Sequence, residues 1–280
     1  GKSTTVATLI HHAQAAGIAT IVFDVEGEYT HVDEPTDHQA MLEALRRRGL
    51  KPEGVKDLHL HVLTGRDSQN PRHKRLHRFS LSFSSLSPYA ITEILGMTDA
   101  QEERFHKAYE VTKLLMEDLG IFPSRDNEQE HKQMLEVDEQ STGYPRMTLQ
   151  HLLDVVDAYL YSLGDEAKEE GKSRSRSTSR KRDEAEEDSE EKSAPRGPQL
   201  RGDLRHHVSR VMGRVYEHRS TSSVSWKVLK GKLLSLRRLN IFDVHTAPRM
   251  DYGALLAPGR VSVVDLSDSD SPQHNNLVIA

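Results

Sequence analysis

The sequence predicts an α/β fold: a mostly parallel sheet flanked by helices, with a helical and partly disordered insertion. Three observations predict it. The apolar, β-branched runs "IATIVFD" (18–24) and "RVSVVDLS" (260–267) are bounded by turn residues and read as buried parallel strands. Helical periodicity follows the first of them and fills most of the chain between the two. A tract at 165–198 has almost no apolar residues, a basic block followed by an acidic one, and cannot bury enough surface to offset chain entropy.

Composition sets the outer limits. With 280 residues and 31.7 kDa the chain is one large or two ordinary domains, long enough for a sizeable core. Hydrophobic residues make up 35% and charged residues 29%, which is lean for a compact domain, so part of the chain is expected to lie outside the core. The absence of cysteine excludes disulfides and thiolate metal sites and is compatible with a reducing compartment. No apolar run approaches the ~18–20 residues that span a bilayer. A net charge of −5 argues against a uniformly basic coat for nucleic acid but leaves room for a local basic channel.

Taken in order, residues 3–16 read as a helix with Val6, Leu9, Ile10 and Ala13 on one face, ending near Gly17. The strand 18–24 follows. Residues 37–48 read as a helix with Met41, Leu42 and Leu45 inward and Arg46–Arg48 in its last turn, and "LHLHVLTG" (58–65) as another strand. The basic segment "RDSQNPRHKRLHR" (66–78) leads into "FSLSFSSLSP" and two helices, "PYAITEILG" and "DAQEERFHKAYEVTKLLMEDLG", the second capped by Asp99. Residues 121–146 are polar and irregular; 148–164 return to helix with Thr148 as cap. Beyond the charged tract come helices at about 200–217 and 223–238, the latter carrying Trp226, Val228, Leu229, Leu233 and Leu236. The strand 260–267 and a helical start at "PQHNNLVIA" complete the chain.

Three stretches carry chemistry. "GKST", residues 1–4, is followed at once by a helix and a strand, the context of a phosphate-binding loop. There Gly1, Lys2, Ser3 and Thr4 would hold phosphates on backbone amides and the helix N-terminus, Lys2 would meet the β/γ-phosphate oxygens, and the Ser3 hydroxyl would bind Mg²⁺. In "FDVEGEYT", Asp24 ends an apolar strand, and Glu26, Gly27, Glu28 and Tyr29 fill the turn beyond it. Ligands of open α/β sheets bind outside the carboxyl ends of strands, so these acids would share the edge of the phosphate site. Two roles stay open: Asp24 and Glu28 orient a water or support Mg²⁺ through its hydration shell, or Asp24 caps the turn and the glutamates are solvated.

Asp265 likewise ends the strand "VSVVD", yet no glutamate adjoins it, so it reads as a cap at the top of a core strand and not as a Walker B acid. The spacing from the first turn to Asp24 fits a dinucleotide site, but Lys2-Ser3 is the wrong chemistry for its glycine-rich turn. The sixteen histidines show no metal-binding spacing, and no N-K-x-D guanine motif occurs.

In chain order, "GKSTTVATLI", "IVFDVEGEYT", "FSLSFSSLSPYAITEILGMTDAQEERF", "LLSLRRLNIFD" and "LLAPGRVSVVDLSDSDSPQHNNLVIA" resemble the HerA/FtsK branch of RecA-like P-loop ATPases, and most closely HerA-type bipolar DNA helicases or translocases. The resembling segments cover about half the chain; the charged tract and its polar approaches lie outside them. The resemblance implies a RecA-like P-loop NTPase core truncated at both ends. In such proteins a β-barrel and a strand precede the phosphate loop, and the Walker B strand and arginine finger come after the strand matching "VSVVDLS". The implied partition is 1–164 for the first part of the core, 165–198 for the insertion and 199–280 for the continuation.

It also implies an ATP- and Mg²⁺-dependent motor that works in the cytoplasm on double-stranded DNA as a homo-hexamer, with a nuclease partner in DNA-end processing or defence, and a fragment inactive in isolation. One departure stands out: where the family often reads Asp-Pro-His-Gly-Glu-Tyr, this chain has Asp24-Val25-Glu26-Gly27-Glu28-Tyr29. Two other functions fit the same residues, a related ATPase that remodels or moves protein in conjugation or secretion, and a degenerate ATPase serving as scaffold.

Overall fold

The computed structural model describes residues 1–121, 143–178, 197–220, 223–269 and 272–279, with backbone alone over 165–178 and 272–274. The irregular segment expected at 121–146 lies almost wholly outside these residues, as does most of the charged tract. The described chain divides into two compact units, residues 1–82 with 240–280, and residues 83–239.

The first unit is a four-stranded parallel sheet in the order β1-β4-β2-β3. Its strands are β1 (Thr20–Asp24), β2 (Leu58–Leu63), β3 (Leu76–Phe79) and β4 (Val261–Asp265). Parallel neighbours need crossover connections, and helices α1 (Lys2–Ala15) and α2 (Gln39–Arg47) belong to this unit. All five residues of β4 are buried, as a central strand of branched side chains requires. Ile10 of α1 packs with Val55, Leu58, Leu60, Val261 and Val263, and Val22, Tyr29, Val32 and Leu76 close around them.

Four expectations change here. β1 is the outer strand of the described sheet, so Ile21 and Phe23 are exposed where full burial was expected. Of the apolar face predicted for α1, Ile10 is buried while Val6 and Leu9 stand in solvent. Helix α2 forms as expected, but Met41 is exposed and none of its residues is fully buried. β3 was not anticipated: it arises within the basic segment, pairing Leu60 with Leu76 and Leu63 with Phe79.

The chain leaves this unit after Ser82 and returns at Asn240. Departing and returning strands are stitched together: the Leu81 amide donates to the Ile241 carbonyl and the Asp243 amide to the Leu81 carbonyl, both at 2.8 Å. The second unit is therefore an insertion between β3 and β4, and it is helical. Its main helices are α3 (Pro88–Ile94), α4 (Asp99–Asp118), α5 (Leu149–Thr178), α6 (Val208–Glu217) and α7 (Ser223–Leu239). Short helix α8 (Tyr252–Leu255) and α9 (Pro272–Ile279) flank β4 in the first unit.

Tyr159 of α5 stacks on Trp226 of α7 with ring centroids 4.1 Å apart, inside a core that includes Phe105, Leu115, Leu152, Val211 and Leu233. The cap of α4 is Thr98, not Asp99: its side chain and that of Gln101 form a reciprocal capping box. Thr148 accepts from the His151 amide at 3.3 Å, as its expected capping role requires. Helix α5 runs past the predicted end at 164 to Thr178, carried by Glu, Ala, Lys and Arg, which favour helix without any apolar face.

Candidate phosphate site at the carboxyl edge of the sheet

Helix α1 begins within the "GKST" stretch. Gly1 is its N-cap without a side-chain bond, and the first intrahelical bond runs from the Thr5 amide to the Gly1 carbonyl at 3.3 Å. The amides of the first turn thus have no intrahelical acceptor, and the helix dipole adds a partial positive charge at the same point. Lys2 and Thr4 are exposed, and among the described residues Lys2 has no ion-pair partner. Amides, a free ammonium and a small hydroxyl are the donor set that phosphate oxygens and Mg²⁺ require, so these residues fit ATP and Mg²⁺.

Asp24 lies at the carboxyl end of β1 and is 2% exposed. Its Oδ1 accepts from the amides of Gly27 at 2.9 Å and Glu28 at 3.1 Å, and its Oδ2 from that of Tyr29 at 2.7 Å. The carboxylate is thus the hub of the turn, the capping role of the two left open. Burial pushes its pKa up, the three amides pull it down, and the neighbouring Asp265 charge raises it again. The turn needs Gly27, whose φ of 76° suits glycine, and whose Cα leaves no room for a methyl beside Gln69 and Ser267.

Glu28 is exposed, its amide held by Asp24 and its carboxylate free of ion pairs among the described residues. Tyr29 reaches back from the turn toward α1. Burial raises its phenol pKa, the charges of Glu28 and Asp24 add to that, and an interaction with the Ser3 hydroxyl opposes them. The structure therefore brings Ser3 and the Asp24–Tyr29 turn together at one edge.

Asp265 occupies the matching position at the end of β4, directly in register with Asp24. Its Oδ2 accepts from the Ser68 hydroxyl at 2.6 Å and the Gln69 amide at 3.0 Å, and its Oδ1 from the amide and hydroxyl of Ser267. It caps loops, as expected. Sequence reading missed Ser68, Gln69 and Asn70, because nothing local ties them to β1 or β4; the Ser68–Asp265 bond joins residues 197 positions apart.

The basic segment is largely spoken for. Arg75 pairs with Asp57 at 2.6 Å, Arg78 bonds the Arg66 carbonyl and faces Asp67, and Arg66 reaches the Asp268 carbonyl. Arg72 and Lys74 are exposed, with no such partner among the described residues. In the helical unit Arg237 bonds Gln150, and Arg238 is exposed. Among the described residues no group of acids and histidines has metal-binding geometry, and no helix is long and apolar enough to cross a membrane.

No curated protein and no solved structure matches the chain. The family described as "Helicase HerA, central domain" matches residues 1–280, from the start of α1 through the parallel sheet and the helical insertion. The chain belongs to that family and carries a HerA-type ATPase domain.

Proposed function

We propose that the chain is the motor of an ATP-driven translocase acting on double-stranded DNA. The observation that carries the reading is the free first turn of α1, with an unpaired Lys2, set beside an acid-bearing turn in a chain of the HerA central-domain family. Lys2 would neutralise β/γ-phosphate charge, the amides of Lys2, Ser3 and Thr4 would bind phosphate oxygens, and the Ser3 hydroxyl would hold Mg²⁺. The metal, when bound, would neutralise charge between the β- and γ-phosphates. Glu28, exposed and free, would orient the attacking water. Asp24, whose oxygens accept three amides, would fix the turn that presents Glu28 and Tyr29.

Arg72 and Lys74 of the basic segment would meet DNA phosphates, being exposed and unpaired among the described residues, as Arg46, Arg47, Arg48 and Lys51 also are. A hexameric ring, a nuclease partner, DNA-end processing and a cytoplasmic setting belong to the proposal on family membership alone.

The test is ATP turnover with and without linear duplex DNA, beside Lys2→Ala. Turnover stimulated by DNA and reduced more than about a hundredfold in the variant is expected, in line with the loss of one preorganised charge-stabilising group. Turnover untouched by Lys2→Ala would refute the phosphate assignment. Lys2-dependent turnover indifferent to DNA would instead favour a protein-moving motor.

A further inference from the structure

The loop joining β2 to β3 does more than carry cations. It is pinned at its base: Asp265 takes the Ser68 hydroxyl and the Gln69 amide, and Asp268 takes the Asp67 amide at 2.8 Å. Within the loop, the Asn70 amide donates to the Ser68 hydroxyl at 3.1 Å. From this anchored base the loop grips the turn that follows β1. The Gln69 side chain lies against Gly27, where an added Cβ would stand 2.5 Å from Gln69 Cγ. The Asn70 side-chain amide donates to the Thr30 carbonyl at 3.0 Å and lies 3.3 Å from His31 Nδ1. Asn70 and Thr30 are both buried.

The turn is thus held at three places, by Asp24 from within, by Gln69 at Gly27 and by Asn70 at Thr30. Its opposite side presents Tyr29 to Ser3. That grip has a physical purpose if phosphates bind at α1. Glu28 has the same sign of charge as the phosphates, so a loose turn would relax away from a bound nucleotide. Three backbone amides on one carboxylate fix the shape of the turn but not its distance from α1. The bond from Asn70, a residue anchored through Ser68 to a different strand, supplies that second reference point.

We propose that Asn70 is a positioning residue of the phosphate site: through the Thr30 carbonyl it sets where Glu28 and Tyr29 stand relative to Ser3, with Asp265 as its anchor. The inference rests on the phosphate reading of α1 and extends it to a loop from another strand. It also makes the Ser68–Asn70 segment the covalent link between the site and the exposed cations Arg72 and Lys74, two and four residues further on.

Asn70→Asp tests this with little change of volume, since a carboxylate cannot donate to the Thr30 carbonyl. Hydrogen exchange at the Gly27, Glu28 and Tyr29 amides is expected to accelerate at least about tenfold, with the Val263 and Val264 amides of β4 unchanged as a control for folding. Affinity for ATP with Mg²⁺ is expected to fall at least about fivefold, and the losses from Asn70→Asp and Tyr29→Phe are expected to be less than additive, since both act through one turn. Unchanged exchange at the three amides would overturn the grip. Accelerated exchange with unchanged ATP affinity, in a protein whose Lys2→Ala variant loses affinity, would overturn the link to the site. If the wild-type protein itself binds no ATP, the phosphate reading falls, and the positioning role falls with it.

Discussion

His61 offers the sharpest prediction, because its chemistry is independent of any nucleotide. His59 and His61 alternate along β2 and so share one face of the sheet, and His77 of β3 is in register with His61. His59 Nδ1 and His77 Nε2 are 3.0 Å apart in nearly parallel rings, which requires one nitrogen to donate and the other to accept. The His61 ring lies 5.1 Å from that of His77, and its Nε2 is buried without a partner among the described residues. Burial first, then the charges that His77, His59 and Arg260 would bring, pushes His61 down to about 4. His59 and His77 are lowered too, again by burial first and then by Arg260, with Asp57 opposing at His59 and His73 and Arg75 adding at His77.

A histidine whose folded pKa lies below its unfolded value contributes stability that is complete above the unfolded pKa and is lost as pH falls. For His61 the window runs from about 6.5, the unfolded value, down to about 4. Linkage, discounted for solvent screening at the sheet face, gives a loss of roughly 1 kcal/mol at pH 5.5. The assay is denaturant unfolding at pH 7.5 and 5.5 for the wild type and His61→Leu, which removes both the titration and the unpartnered nitrogen. The variant should lose about 1 kcal/mol less than the wild type over that interval. Equal losses in the two proteins would refute the reasoning.

Four further outcomes are expected. Gly27→Ala should cost about 1–3 kcal/mol, through the positive φ and the contact with Gln69. Gly54→Ala should cost more, because its Cβ would fall inside the Asp33 backbone carbonyl, which cannot swing aside as Gln69 can; denaturant midpoints in the reverse order would refute this ranking. Trp226→Ala removes the stacking partner of Tyr159 from a fully buried position and should cost about 3–5 kcal/mol in the helical unit, an account that a loss below about 1 kcal/mol would sink. Arg72→Ala with Lys74→Ala should lower the salt slope of duplex DNA binding by about 2, one for each phosphate contact, and an unchanged slope would remove both from the interface.

What the sequence made legible follows from where each element's signal resides. β4 was plain because a central strand buries both faces, and three of its five residues are valine. β1 was plain as a strand but not as an outer one, since strand order depends on pairings made far along the chain. β3 was hidden because an edge strand tolerates polar residues: "LHRF" reads as part of a basic loop until Leu76 and Phe79 are seen against β2. The cap of α4 was within reach. Thr98 stands three residues before Gln101, the spacing of a capping box, and Asp99 drew attention only as the more familiar capping residue.

The site was legible to the same local depth and no further. "GKST" and "DVEGEYT" each named their residues, yet the pattern alone left Asp24 with two roles, and the three amides it accepts establish the capping one. Asp24 and Asp265 lie side by side at the carboxyl edge, two buried carboxylates, and the charge of Asp265 adds to the burial that raises the pKa of Asp24. Each carboxylate accepts hydrogen bonds from a loop, three amides for Asp24, and two amides with two hydroxyls for Asp265. Any water or metal ligand at these oxygens would share them with the loops they hold. The acids in the turn that remain free are Glu26 and Glu28, and only Glu28 is flanked on both sides by residues whose amides Asp24 fixes. The capping role of Asp24 and the proposed water-orienting role of Glu28 are therefore parts of one arrangement: the first carboxylate holds the turn that carries the second.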